Sequence, residues 1–365
     1  MELAKIFQAI EETRFLKQLA TQERLFFIGD TAALVYIKNF FSNYQNTEGN
    51  YYYDLSTKTI VGLNNLPSLN SYQAIVVVSL ENEASLLLTV DQQLSTVVHP
   101  VILQLFADIF INLLCDRDLL QTAPQKNHKP TLSYAIVTTP RSGSTYLCDL
   151  LDSTAIAGHP SEHLRLATQE LTRHFNFNYL KLLDNLMEYR TTNNGVFGTK
   201  LISHFLFELQ RAKFDFEQIF QSINQFILLI RKDKLAQAIS LVLAQKTEVW
   251  HLHSDARKTS YQSQLENIKI DDNLLNDVEQ KVIFIEQQED RLQKILAHHQ
   301  IQPLIVVYED LLDDAPAQIN RILDFLAIPQ PEQYLMQVTS GIKRMPSTIS
   351  QKIIRQYQER KSMVH

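Results

Sequence analysis

Five short, almost unbroken apolar runs decide what this chain can become: Leu25–Gly29 (LFFIG), Ala74–Ser79 (AIVVVS), Tyr134–Thr139 (YAIVTT), Phe226–Ile230 (FILLI) and Ile305–Tyr308 (IVVY). They do not alternate polar with apolar residues, as strands with one wet face do. Runs of this kind belong to parallel strands covered on both sides. Helical-period segments separate them, so the order is strand, helix, strand, and the predicted fold class is α/β. Further strands are expected at Tyr51–Leu55 and Gly195–Leu201. Helices are expected at Glu2–Leu19 (register Ile6, Ile10, Phe15, Leu19), Thr31–Phe41, Ser144–Ser153, Lys234–Thr247, Asp277–His299 and Ala317–Leu326. Val101–Leu114 reads as one buried helix. It contains Asp108 and is too short to cross a bilayer.

A chain of 365 residues is long enough for about two domains. The polar, proline-bearing stretch 121–130 (QTAPQKNHKP) is the expected linker. Residues 1–120 are then a small Rossmann-like α/β domain, and residues 131–365 a second one with a P-loop-like parallel sheet. In the first domain, Gly29-Asp30-Thr31-Ala32-Ala33 stands where a dinucleotide-binding fold carries its glycine turn. Only Gly29 of that fingerprint is present, which leaves the role of this domain open. The formal net charge of −6 argues against a general nucleic-acid binder. Cys115 and Cys148 are too few for a disulfide framework or a zinc site, and both lie in apolar helical runs. Charges run through the N-terminal segment with no signal-peptide core, so a cytoplasmic protein without a transmembrane segment is expected.

The most informative segment for function is Thr138–Tyr146, TTPRSGSTY, between a strand and a helix. Such a turn is an anion cradle, because the first-turn N–H groups and the helix dipole both favour negative charge. Gly143 lets an anion approach the backbone closely. Ser142, Ser144 and Thr145 supply hydroxyls, and Arg141 supplies a planar cationic fork. It is not a Walker A loop: Ser144 stands at the lysine position and Thr138 at the first glycine position. A second anion site is expected where FILLI ends in Arg231-Lys232-Asp233. There the following helix would bring Ser240 toward the same crevice.

The segments YAIVTTPRSGSTYLCDLL (134–151), AGHPSEHL (157–164), NGVFGTKL (194–201), LLIRKDKLAQAIS (228–240) and VYEDLLDD (307–314) occur in one order. Together they resemble the bacterial trehalose 2-sulfotransferase family of carbohydrate sulfotransferases, over about residues 131–361. The resemblance implies transfer of a sulfuryl group from 3′-phosphoadenosine 5′-phosphosulfate (PAPS) to a hydroxyl of a carbohydrate, glycolipid or polysaccharide, without a metal. By that similarity, residues Arg141 to Thr145 hold the 5′-phosphosulfate, Arg231 and Ser240 hold the 3′-phosphate, and Glu162 is the general base. Some relatives carry a serine where this chain has Ala236, which leaves open which hydroxyl meets the 3′-phosphate. A homodimer also stays open.

The chemistry needs such a base, since an alcohol is a poor nucleophile near neutral pH. His159, His163 and His204 are rivals to Glu162. The alternative for Glu162 is a carboxylate at the start of a helix opened by Pro160. Lys200 either reaches acceptor or sulfate, as His163 also could, or is a solvated lysine at a strand end. By similarity to sulfotransferases, Arg344 is a candidate for closing over the nucleotide. Two competing functions remain: a nucleotide-dependent kinase with an altered loop, and a nucleotide-binding protein without turnover.

Overall fold

The computed structural model describes residues 24–41, 50–55, 69–79, 81–96, 98–115, 129–175, 179–211, 216–247, 255–329 and 348–363, with isolated positions 6, 7, 10, 16, 19, 20 and 22. Phe15, most of the expected first helix, most of the expected linker and Arg344 lie outside the described residues. The chain divides into two compact units. One comprises Met1–Lys126 and Arg165–Tyr189; the other comprises Asn127–Leu164 and Arg190–His365.

The first unit is built on a four-stranded parallel sheet, β1 (Leu25–Gly29), β2 (Tyr51–Asp54), β3 (Ala74–Val78) and β4 (Val101–Gln104), in the order β2-β1-β3-β4. The two central strands are buried along their whole length, as their unalternated sequences require. Helices α1 (Thr31–Phe41), α2 (Glu83–Leu94) and α3 (Leu105–Cys115) accompany the sheet. So do α5 (Leu166–His174) and most of α6 (Tyr179–Arg190), which the sequence reading did not anticipate. The run 101–114 is not one helix. Its first residues pair with β3, Ala74 opposite Val101 and Val77 opposite Gln104, and the helix starts only at Leu105. A short apolar run has no period that separates strand from helix, and the free edge of β3 settles the matter. At the end of β1, Gly29 is forced by sterics: a Cβ there would lie 2.1 Å from the Val78 carbonyl oxygen.

Glu83 ties α2 to α3. Its carboxylate oxygens accept the N–H groups of Phe106 and Ala107, at 2.9 and 3.0 Å. Burial pushes its pKa up to about 8, against the pull of those bonds. A raised carboxyl pKa means that the folded state binds more protons than the unfolded chain between an ordinary carboxylate pKa and about 8. Stability should therefore fall as pH rises through that window, by up to about 1.4 kcal/mol per unit, and level off above it. Urea unfolding at about pH 6 and about pH 8.5 checks this. Glu83→Gln should flatten the difference between the two conditions.

The second unit has the sheet order β6-β5-β7-β8, again all parallel, from β5 (Leu132–Thr138), β6 (Val196–Ile202), β7 (Gln225–Ile230) and β8 (Leu304–Val307). From β5 the chain passes by way of α4 (Ser144–Ser153) to β6 on one side. From β7 it passes by way of α9 (Lys234–Thr247) to β8 on the other. The connections thus diverge between β5 and β7, and a crevice forms at the carboxyl ends of those strands. β6 ends the sheet yet is buried throughout, and Ser161 bridges to Thr199 on this strand.

The remaining helices of this unit are α7 (Ser203–Arg211), α8 (Phe216–Ser222), α10 (Asp255–Glu266), α11 (Asp272–His298), α12 (Tyr308–Asp313), α13 (Ala315–Phe325) and α14 (Thr348–Met363). The long helix α11 begins earlier than its apolar period suggests. The Asp271 side chain caps it, accepting from the Leu274 N–H at 3.0 Å. Among the described residues no helix is long and apolar enough to cross a membrane.

Candidate active site

The turn after β5 carries two residues in left-handed backbone conformation, Arg141 at φ 61° and Gly143 at φ 90°. Gly143 is also the N-cap of α4, and it has no side chain with which to occupy the first-turn N–H groups. Its missing Cβ is used: one built there would lie 2.1 Å from Tyr308 Cδ2. The ring of Tyr308, first residue of α12, therefore packs directly on the turn. The Arg231 guanidinium in turn lies over that ring, 4.9 Å from its centroid. Arg231 Nη1 also donates to the Arg141 carbonyl at 3.3 Å.

Arg141 and Ser240 meet directly. Arg141 Nε donates to Ser240 Oγ at 3.0 Å, across 99 positions of sequence. The two anion sites that the sequence presents separately are thus one continuous basic region at the ends of β5 and β7. Burial lowers the pKa of Arg141; the neighbouring Tyr261 opposes this, and the nearby Arg231 adds to it. Two adjacent, half-buried guanidiniums make a strong field for an anion carrying several charges.

The hydroxyls divide by direction. Ser142 is fully buried, and its Oγ lies 2.6 Å from Thr138 Oγ1, which also reaches the Leu229 carbonyl at 2.7 Å. A carbonyl only accepts, so the Thr138 proton goes to Leu229 and the Ser142 proton to Thr138. Ser142 faces the sheet; what it can offer an anion is its N–H. Ser144 is buried as well, whereas Thr145 is partly accessible and accepts from Lys200 Nζ at 3.2 Å.

Lys200, on β6, is 4% exposed, and its Nζ lies 2.7 Å from Glu162 Oε1. Burial alone would lower the Lys200 pKa, but the Glu162 charge beside it outweighs that and raises it, so the lysine stays charged. Glu162 is held by its neighbours. The Ser161 carbonyl accepts the Lys200 N–H at 2.8 Å and the His163 N–H at 2.9 Å. Glu162 does not open a helix, because α5 begins only at Leu166. Carboxylate, ammonium and the first turn of α4 thus form a chain: Glu162, Lys200, Thr145.

The histidines go elsewhere. His159 is exposed and bonds Asp152. His163 is 5% exposed, and its ring stacks on Phe197 at 5.6 Å. His204 packs its ring against Phe205, 3.9 Å away. Cys148, on α4, is buried, and burial pushes its thiol up to about 11, so it is no nucleophile. Residues that sequence reasoning missed are Tyr308, Tyr261 and Gln237. An aromatic at a strand end or a glutamine in an apolar helix has no local signature; only the partner side chains give them a place.

The Stf0 sulphotransferase family profile matches residues 133–360. The chain belongs to the Stf0 sulphotransferase family. Among solved structures, the sulfotransferase domain from the Synechococcus PCC 7002 olefin synthase is similar at 14% identity, over 66% of this chain and 98% of that one, with a TM-score of 0.28. No curated protein matches the chain. As a Stf0 sulphotransferase the protein is an enzyme of sulfuryl transfer, and the family implies a sulfonate donor. The matched span includes the turn after β5, Glu162, Lys200, Arg231 and Ser240.

Proposed function

We propose that this Stf0 sulphotransferase moves the sulfuryl group of PAPS to a carbohydrate hydroxyl, with Glu162 as general base. The observation that carries the donor assignment is the junction of Arg141, Ser240 and Arg231 at the diverging ends of β5 and β7. A nucleotide with charged groups on both the 3′ and 5′ positions of one ribose needs two adjacent anion sites. The first turn of α4 with Arg141 suits the 5′-phosphosulfate, and Arg231 with Ser240 suits the 3′-phosphate. The carbohydrate class of the acceptor rests on the family resemblance.

In this reading the acceptor oxygen attacks sulfur in line with the bond to the bridging oxygen of the donor. The S–O bond to the 5′-phosphate breaks, PAP (adenosine 3′,5′-bisphosphate) leaves, and the acceptor proton passes to Glu162. Such transfer depends on placement and charge stabilisation more than on covalent help. Charge grows on the bridging oxygen, and the α4 N-terminus, Arg141 and Lys200 are the groups suited to meet it. Lys200 also orients the Glu162 carboxylate through its 2.7 Å contact.

Calorimetry tests the donor assignment. The protein should bind PAP without magnesium and in preference to ATP. Arg231→Ala should weaken PAP by about 10- to 100-fold, the worth of charge-assisted hydrogen bonds to phosphate. Preference for ATP with magnesium would point to a kinase, and unchanged PAP affinity in the variant would remove the two-anion arrangement. A screen of candidate acceptors with labelled donor then separates a working transferase from a silent binder.

A further inference from the structure

A buried side chain that takes no part in the chemistry above grips the turn after β5. Gln237, near the start of α9, is fully buried. Its carboxamide nitrogen donates to Thr139 Oγ1 at 2.9 Å and to the Pro140 carbonyl at 2.7 Å. Since a carbonyl only accepts, the amide must present its NH₂ to Pro140, which fixes its orientation. Its Oε1 is buried without a hydrogen-bond partner among the described residues. An unpaired buried acceptor costs free energy that an apolar side chain of the same shape would not incur, so the residue's worth lies in its two donated bonds.

We propose that Gln237 is a positioning residue that sets the peptide planes of the donor-binding turn; this rests on the reading of that turn as the phosphosulfate cradle. In a trans peptide the C=O and the following N–H point in opposite directions. Drawing the Pro140 carbonyl toward α9 therefore turns the Arg141 N–H away from α9. Arg231 does the same for the next peptide, taking the Arg141 carbonyl and turning the Ser142 N–H away from Arg231. The left-handed Arg141, at φ 61°, is a conformation that needs such holding. Ser240, three residues after Gln237 and so on the same face of α9, takes the Arg141 side chain. One helix face thus orients both the backbone and the guanidinium of the cradle.

The test uses the full chain, with PAP as the probe. Gln237→Met keeps the shape and removes both donors. It leaves the Pro140 carbonyl without its donor, so it should melt at or somewhat below the wild-type temperature while staying folded at the assay temperature, yet bind PAP about tenfold more weakly. It should also raise KM for the donor but not for the acceptor. Gln237→Glu puts a carboxylate against the Pro140 carbonyl and should bind still more weakly near about pH 8. Part of that loss should return near about pH 5, where the introduced carboxyl regains a proton to donate. Each variant is compared with wild type at the same pH, because PAP itself titrates. Folded variants that bind PAP as wild type does would overturn the proposal. So would losses that merely follow a lowered melting temperature, with no recovery in acid. Failure of the wild type to bind PAP would instead overturn the donor assignment.

Discussion

Glu162→Gln should lower turnover by about 10²- to 10⁴-fold, the usual worth of a positioned base, while PAP binding stays near wild type. The carboxylate is 23% exposed on one side and paired with Lys200 on the other, so it can receive a proton from an arriving hydroxyl without leaving its partner. Glutamine is the informative replacement. Either replacement removes the counter-charge of the buried Lys200 ammonium, but alanine also leaves nothing to accept from it where the carboxylate stood, which would confuse folding with chemistry. The carboxamide oxygen still faces Lys200 but takes up the acceptor proton far less readily. Single-turnover rates and PAP calorimetry on the same preparation separate the two effects. A variant that keeps its rate but loses donor affinity would show that Glu162 serves binding instead.

Gly143→Ala should reduce kcat/KM for the donor by about 100-fold or more, the scale on which a displacement of about 1 Å acts at a reacting centre. Two obstacles combine. The backbone at φ 90° penalises any Cβ by roughly 1–2 kcal/mol. The Cβ itself would lie 2.1 Å from Tyr308 Cδ2, so the turn or the ring must shift. A shifted ring also disturbs Arg231, which lies over it. The damage therefore reaches both anion sites from one methyl group. Donor saturation curves measure it. An alanine variant with wild-type donor KM would mean that neither the N-terminus of α4 nor Tyr308 helps to define the site.

Much of the scaffold is legible because its causes are local. The α4 helix runs from Ser144 to Ser153 as its sequence suggests. Gly143 stops it at one end, and its apolar residues Leu147, Leu150 and Leu151 all face the core. The strands at 25–29, 74–78, 225–230 and 304–307 follow directly from unalternated apolar runs. β4 is not legible, because Val101–Gln104 becomes a strand only through its neighbour β3.

By itself the sequence determined the α/β class, the strand–turn–helix around Gly143, the arginines that follow two of the strands and a carboxylate at 162. These depend on residue type, hydrophobic period and spacing along the chain. Only the tertiary structure decided which of them act together. It brought Arg141 to Ser240, set Lys200 between Glu162 and Thr145, laid Tyr308 on Gly143, and drew the three histidines into other contacts. The physical reason is that hydrogen bonds and ion pairs act over a few ångströms. Residues as far apart as 141 and 240 come within that range only when the sheet has placed the ends of β5 and β7 side by side.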